Sequence, residues 1–300
     1  MTHTDFKNAA RKHQVEFREN VLHVGYDRYP NVLNREDANK GLVFFEPFRE
    51  TIMTKIRKPS TPKSGQMLTN MLRSEHIPYN VFFPMKRDLK GTALLLNGII
   101  GHDEVDYIND IIIEYAPKPI EHYLNDHTAF DVYISYTNYN GQPCGIGIEV
   151  KYTEKEYPLK AGSREYQHIK YANENGEEII RLSNEYKRAT DNSQYYGDTP
   201  PYDALVCNDL RQIWRNHILG ASMIQQSDIS NFISILFYPK QNGHFFNKAI
   251  PQYEALLTKE GKASFISLTY ETLFPLLSQY IKIDKVEEWE KYLCKRYIIL

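Results

Sequence analysis

Residues 130–154, FDVYISYTNYNGQPCGIGIEVKYTE, alternate apolar and polar positions on either side of a polar turn. A period of two marks β-strands, so this segment predicts a hairpin with TNYNGQP (137–143) as its loop. Upstream, FKNAARKHQVEFREN (6–20) and GLVFFEPFRETIMTKI (41–56) carry helical spacing, and residues 5–56 read as mainly helical. KPSTPKSG (58–65) interrupts that pattern and reads as an exposed loop. QMLTNMLRSEH (66–76) predicts a short helix stopped before Pro78, and YNVFFPM (79–85) a short apolar strand or bend. HDEVDYINDIIIEYA (102–116) reads as a helix, although its apolar triplet leaves that open.

Beyond the hairpin, residues 155–200 are polar and predict some helix around 177–188. YDALVC (202–207) then reads as a strand, and DLRQIWRNHILGASMIQQ (209–226) as a strongly periodic helix. ISNFISILFYP (229–239) predicts a buried strand, AIPQYEALLTKEG (249–261) a helix ended by Gly261, and ASFISLTY (263–270) another strand. The last 30 residues read as helical. Strands alternating with helices predict an α/β fold, a mixed sheet flanked by helices with helical N- and C-terminal additions.

The hairpin carries the chemistry. Centring its loop on Asn140 sets Asp131 directly across from Glu149 on one face. Opposed residues have Cβ atoms about 5 Å apart. Period two adds Lys151, Gly147 and Gly145 to that face, with the glycines expected to leave open space beside the acids. Ile146, Ile148, Val150 and Tyr152 point the other way, as do Phe130, Val132, Ile134 and Tyr136, into a core.

Two opposed carboxylates repel, so something must compensate. Lys151 can do so as a plain ion pair. A hard divalent cation does it better, because Mg²⁺ is typically held by one or two carboxylates together with waters and substrate phosphates. Such a cation binds a phosphodiester oxygen and activates water. Lys151 is then placed to orient or deprotonate that water, or to steady charge developing on phosphorus. Glu-x-Lys alone is a weak signal, occurring at Glu149, Glu185 and Glu260. Only Glu149 lies in an apolar strand, after glycines, with an aspartate in register upstream.

Composition changes this little. The formal net charge of −2 over 300 residues neither favours nor excludes nucleic acid, since central acids and peripheral bases cancel. The 23 tyrosines can stack on bases but read mostly as core-edge residues. Cys144, Cys207 and Cys294 show no metal-ligand spacing and read as buried free thiols in a reducing compartment. The start, MTHTDFKNAARKHQ, has no apolar stretch of a signal peptide. The runs ALLL (93–96) and FISILFY (232–238) are too short to span a bilayer, so a cytoplasmic protein with no membrane role is expected.

Asp131 followed by Glu149-Val150-Lys151 on a hairpin resembles the PD-(D/E)XK nucleases, the restriction-endonuclease-like fold. Within that superfamily the chain resembles an uncharacterised bacterial branch. NMLRSEHIPYNVFFPM (70–85), GIGIEVKYTE (145–154) and LRQIWRNHILGAS (210–222) follow in that branch's order over residues 66–240. Residues 1–60 read as a helical region and 61–300 as a nuclease-like domain, the two expected to form one compact unit; the resemblance itself adds little to the first 60 or the last 60 residues. It implies Asp131 and Glu149 as ligands of Mg²⁺ or Mn²⁺, the Val150 backbone carbonyl as a further ligand, and Lys151 as the catalytic lysine. Glu75 matches the place of an acid that some members carry on their first core helix. Gln212 and Arg215 match a following helix whose polar side chains brace the site or touch phosphate. Phe130 stands where the name-giving proline would be, and Asn216 where an exonuclease-type motif has tyrosine.

Plainer readings stand beside these. Glu75 also fits a helix-end charge, and Gln212 and Arg215 a solvated helix face. Trp214 and Ile218 read as core. Glu154 and Lys155 read as an exposed strand end, His122 and His127 as surface histidines, and His217 carries no role. Lys55, Arg57, Lys58 and Lys63 form a basic loop that reads as solvated charge or as a track for a DNA backbone. The expected activity is metal-dependent hydrolysis of nucleic acid, DNA before RNA, with restriction or defence as the superfamily's suggestion. Duplex cleavage usually needs two sites, which fits a homodimer; a protein partner is unspecified. The rival expectation is a non-catalytic module binding nucleic acid or protein.

Overall fold

The computed structural model describes residues 2–58, 65–156, 158–172 and 175–299. Five strands form one mixed sheet: β1 (Val105–Tyr115), β2 (Phe130–Asn138), β3 (Pro143–Val150), β4 (Asn231–Tyr238) and β5 (Phe265–Thr269), in that spatial order. The first three pair antiparallel and the last two join parallel. A strand can return parallel only through a crossover. The chain between β3 and β4 supplies it, and ends in the long helix expected over 209–226, observed as Arg211–Gln225. This is the mixed sheet flanked by helices that the sequence predicts.

The hairpin register matches the sequence reading: Val132 faces Ile148 and Tyr133 faces Gly147, so one further step sets Asp131 opposite Glu149. Both faces of the sheet, however, are packed. Val132, Ile134, Tyr136, Ile146, Ile148, Val150 and Tyr152 enter one core, which also draws on residues from Phe6 to Ile299. Phe130 does not join them. It lies with Tyr133, Trp214 and Phe232 in a second core under the crossover helix. The glycines leave no open space: a Cβ on Gly147 would stand 2.5 Å from the Phe130 ring, and one on Gly145 2.5 Å from the Tyr133 hydroxyl. Glycines here let aromatic rings lie flat on the sheet.

Six helices are used below: α1 (His3–Phe17), α2 (Glu46–Ile56), α3 (Ile77–Met85), α4 (Leu89–Ile100), α5 (Arg211–Gln225) and α6 (Val286–Tyr297). Thr2 and Asp5 close a capping box at the start of α1. Gln14 on α1 donates to Tyr152 Oη at 2.9 Å and to the Arg296 carbonyl at 2.6 Å, tying the N-terminal helix to the strand exit and to α6.

Several sequence expectations are corrected. Residues 102–116 form the edge strand β1, not a helix. Its register slips between Val105 and Tyr107 and between Ile108 and Asp110, which breaks the period of two and hides the strand. The β-branched run Ile111-Ile112-Ile113 favours the extended state. Residues 66–76 are turns. There, side chains take the backbone donors a helix would have used: Asn70 Oδ1 accepts from Leu72 N and Glu154 Oε1 from Ser74 N. Residues 79–85 belong to α3, whose nearly complete burial erases any amphipathic signal, with Pro78 in its first turn. The strand expected at 202–207 is a short helix, Tyr202–Leu205. The helix expected over 249–261 is two, Ile250–Ala255 and Lys259–Ala263; Gly261 lies inside the second, where a Cβ would meet the Tyr195 carbonyl at 2.5 Å. The helix expected around 177–188 begins later, at Asn184–Asp191, because Glu178–Ile180 pairs as a strand with Lys170–Ala172; the C-terminal helices match the reading, and the three cysteines are free thiols.

Candidate active site

The strand pair β2/β3 ends where its parallel neighbour β4 also ends, and the polar cluster sits at that end. Asp131 Oδ2 accepts from Val150 N at 2.7 Å. Lys151, one residue past β3, is buried at 4 % exposure. Its backbone N donates to the Phe237 carbonyl at 2.9 Å, and the Tyr270 hydroxyl caps its carbonyl at 2.5 Å. The Lys151 ammonium donates to Glu149 Oε1 at 2.5 Å and to Gln212 Oε1. On the next turn of α5, Asn216 Nδ2 donates to Glu149 Oε2 at 2.5 Å. Residues 212 and 216 share one helical stripe, so α5 grips the lysine with one side chain and the glutamate with the other.

The electrostatics follow from crowding. Burial, then the charges of Glu149 and Glu114, push Asp131 well above the usual carboxylate range, against the opposing pull of Lys151 and the Val150 N–H. Glu114 was missed in the sequence because its strand read as a helix. It follows Ile113, which faces Val132, and precedes Tyr115, which faces Phe130, so it stands beside Asp131. Its backbone is left-handed, φ 59°, a conformation that costs a non-glycine residue about 1 kcal/mol or more. Burial, then Glu149 and Glu75, raise its pKa to about 7.

This sets a pH dependence. A carboxylate whose folded pKa lies above its unfolded value binds more protons folded than unfolded, so stability falls as pH climbs from the usual 4.5 through about 7. In EDTA, Glu114→Gln is expected to narrow the difference in urea midpoint between pH 5 and pH 8, by an amount equivalent to about 1–3 kcal/mol. Equal pH dependence in both proteins counts against a strained acid at 114.

The other sequence candidates divide. Glu75 lies in the turn before α3 rather than on a helix, and pairs with Arg73 at 2.9 Å. Its charge reaches Glu114. Val150 turns its side chain into the core, its N–H already serving Asp131. Gln212 joins the cluster. Arg215 does not: its guanidinium meets Asp126 at 2.6 Å, Thr128 Oγ1 at 2.6 Å, Tyr186 Oη at 2.9 Å and Glu165 at 3.2 Å. Trp214 and Ile218 are core. His217 is buried between the Tyr253 and Ser264 hydroxyls, each at 2.8 Å. His127 is exposed and meets Arg164, and His122 is exposed. Glu154 is no loose strand end, since its carboxylate takes Ser74 N, Ser74 Oγ and Tyr152 N. Of the basic loop, Lys63 lies outside the described residues; Lys55 sits over the Phe83 ring and Arg57 donates to the Asn39 carbonyl.

Asp131 and Glu149 supply hard oxygens in the number Mg²⁺ or Mn²⁺ usually takes from protein, so the donor set fits such an ion. Among the described residues no three His, Cys, Asp or Glu side chains stand close enough to hold an ion as a set, so waters or substrate oxygens have to complete the shell. The buried oxygen Asn216 Oδ1, beside Glu149, has no hydrogen-bond partner among the described residues.

No helix among the described residues is long and apolar enough to cross a membrane. No curated protein and no solved structure matches the chain. A family model described as the PD-(D/E)XK nuclease superfamily matches residues 2–299, essentially the whole chain and the Asp131/Glu149/Lys151 hairpin with it. This chain therefore belongs to the PD-(D/E)XK nuclease superfamily, whose members are nucleic-acid hydrolases.

Proposed function

We propose that the protein hydrolyses phosphodiester bonds in DNA with Mg²⁺ or Mn²⁺ held by Asp131 and Glu149, and that Lys151 is its catalytic lysine. The observation that carries this reading is the buried Lys151 ammonium, fixed between Glu149 and Gln212 at the end of β3. A bound divalent ion would polarise the phosphoryl oxygen and lower the pKa of attacking water. Asp131, Glu149 and the Val150 carbonyl would hold it. Lys151, held as an ammonium, would align the water and stabilise the charge that grows on the phosphoryl oxygens, while the water's proton leaves to a substrate oxygen or to bulk solvent. Gln212 and Asn216 are positioning residues: one keeps the ammonium aimed, the other keeps Glu149 turned toward the site. Glu75, and Glu114 where it is deprotonated, add negative charge that strengthens cation binding. A restriction or defence role fits the superfamily.

The test is a panel of supercoiled plasmid, linear duplex, single strands and RNA, each with Mg²⁺, Mn²⁺ or EDTA. DNA cut only with metal is the expected result. RNA alone cut shifts the substrate, and metal binding with no cutting anywhere favours a binding module. Gln212→Ala is expected to lower kcat about 10- to 100-fold, the usual loss when a supporting hydrogen bond is removed. KM should change little, and the alkaline limb of the pH–rate profile should move. An unchanged profile removes Gln212 from the assignment.

A further inference from the structure

A groove of about 630 Å³ lies between α1 and the chain that leaves β3, its lining beginning at Thr153, two residues past Lys151. Its wall is one stripe of α1. His3, Lys7 and Arg11 recur every fourth residue and together line it. They cover about 12 Å of helix at 1.5 Å per residue. The apolar stripe Phe6, Ala10 and Phe17, with Gln14, faces inward and fixes which side is turned out. Lys7 and Arg11 are exposed.

The far wall carries Arg73 and Lys155. Arg73 pairs with Glu75, which joins the groove to the acids of the site. Of the acids that line it, Glu154 is taken up by Ser74 and Tyr152, while Glu156 pairs with Lys155 inside the groove at 3.4 Å, so the charge left for phosphate is chiefly that of Lys7 and Arg11. The floor is a built surface: Asn31, 6 % exposed, donates to Asn70 Oδ1 at 3.1 Å, and the His3 ring meets the Thr153 carbonyl at 3.1 Å. Tyr29, 55 % exposed, also lines it, with the Arg28 guanidinium over its ring at 5.3 Å.

Basic side chains along a groove track a phosphate backbone. An exposed aromatic ring in its lining offers a stacking face for an unpaired base, which a duplex does not present. We infer that this groove binds a single nucleic-acid strand flanking the scissile phosphate, with Lys7 and Arg11 on phosphates and Tyr29 under a base. The inference rests on the nuclease reading for the strand's destination, but the groove's binding is measurable without cleavage.

The test is fluorescence anisotropy in EDTA with a labelled DNA single strand, the same sequence as RNA, and the matched duplex. The proteins are wild type, Lys7→Ala/Arg11→Ala and Tyr29→Ala, all altered at exposed positions. The double variant is expected to bind either single strand at least about 10-fold more weakly, with the log–log salt slope shallower by about 1.4, at 0.7 per lost phosphate contact. Tyr29→Ala is expected to weaken single-strand binding roughly 5- to 100-fold at unchanged salt slope. Tighter binding of the DNA or of the RNA strand identifies which sugar the groove prefers. Unchanged affinity in both variants overturns the inference, as does a wild type that prefers the duplex. Plasmid cleavage by the same preparations separates the two claims: cutting that survives alongside unaltered binding rejects the groove and leaves the active site standing.

Discussion

Lys151→Ala is expected to lower the rate of DNA cleavage by about 10²–10⁴, the range for loss of a positioned proton-transfer or charge-stabilising group. The physical reason is placement. The ammonium is buried, anchored through its own backbone to Phe237 and Tyr270, and oriented by Glu149 and Gln212. Arginine is too large and fork-shaped for the slot, so Lys151→Arg should rescue little. Removing the ammonium also leaves Asp131 and Glu149 repelling across the hairpin. In EDTA the variant should therefore be less stable than wild type, and Mg²⁺ should recover much of the loss. Single-turnover cleavage and urea midpoints with and without Mg²⁺ measure both. A variant that cuts at the wild-type rate removes Lys151 from the chemistry.

Arg215→Ala should do something different: cost about 3–5 kcal/mol of stability while leaving kcat and KM per folded molecule near wild type. Its partner Asp126 has no exposed side-chain surface. Burial alone would raise the Asp126 pKa; Arg215, with hydrogen bonds from Thr128 and Tyr186, instead holds it below the usual range. Deleting one partner of such a pair strands a buried charge, which costs about 3–5 kcal/mol. The sign fixes the pH window: a depressed carboxylate contributes stability above its unfolded pKa and loses it as pH falls through the lower folded value. The deficit of Arg215→Ala should therefore be full at neutral pH and shrink toward pH 3. A large rise in KM with stability intact would instead return Arg215 to the phosphate-contacting role that its helix position suggested.

The contrast between Gln212 and Arg215 shows what was legible in the sequence. Both sit on the strongly periodic helix that the pattern located well, three residues apart. Periodicity gives the helix, but its rotation against the sheet is set by aromatic packing. A Cβ on Gly220 would stand 2.0 Å from the Phe232 ring, so α5 seats close on β4 at that point. That seating aims Gln212 and Asn216 at Lys151 and Glu149, and leaves Arg215 to Asp126. The hairpin register was readable because its loop is short and its two strands alternate cleanly. The space around the glycines was misjudged because Phe130, Tyr133 and Phe232 fill it from outside the local sequence. Glu114 was hidden by the bulges that break the alternation of β1. The turn at 66–76 was hidden because its backbone donors are met by Asn70 and by the distant Glu154, a long-range contact no local pattern carries.

The most direct test of the metal-dependent site is cleavage of supercoiled plasmid by metal-stripped wild type and Glu149→Gln, purified identically, as Mg²⁺ is added back. The swap keeps size and one acceptor oxygen for Asn216, while removing the charge that would bind the cation and the second oxygen that accepts from Lys151. Cutting restored by Mg²⁺ in the wild type and at least about 10²-fold slower in the variant is the expected result. Equal cutting by the two proteins, or cutting by the wild type that persists in EDTA, would contradict the assignment of Asp131, Glu149 and Lys151 as a metal-dependent phosphodiesterase site.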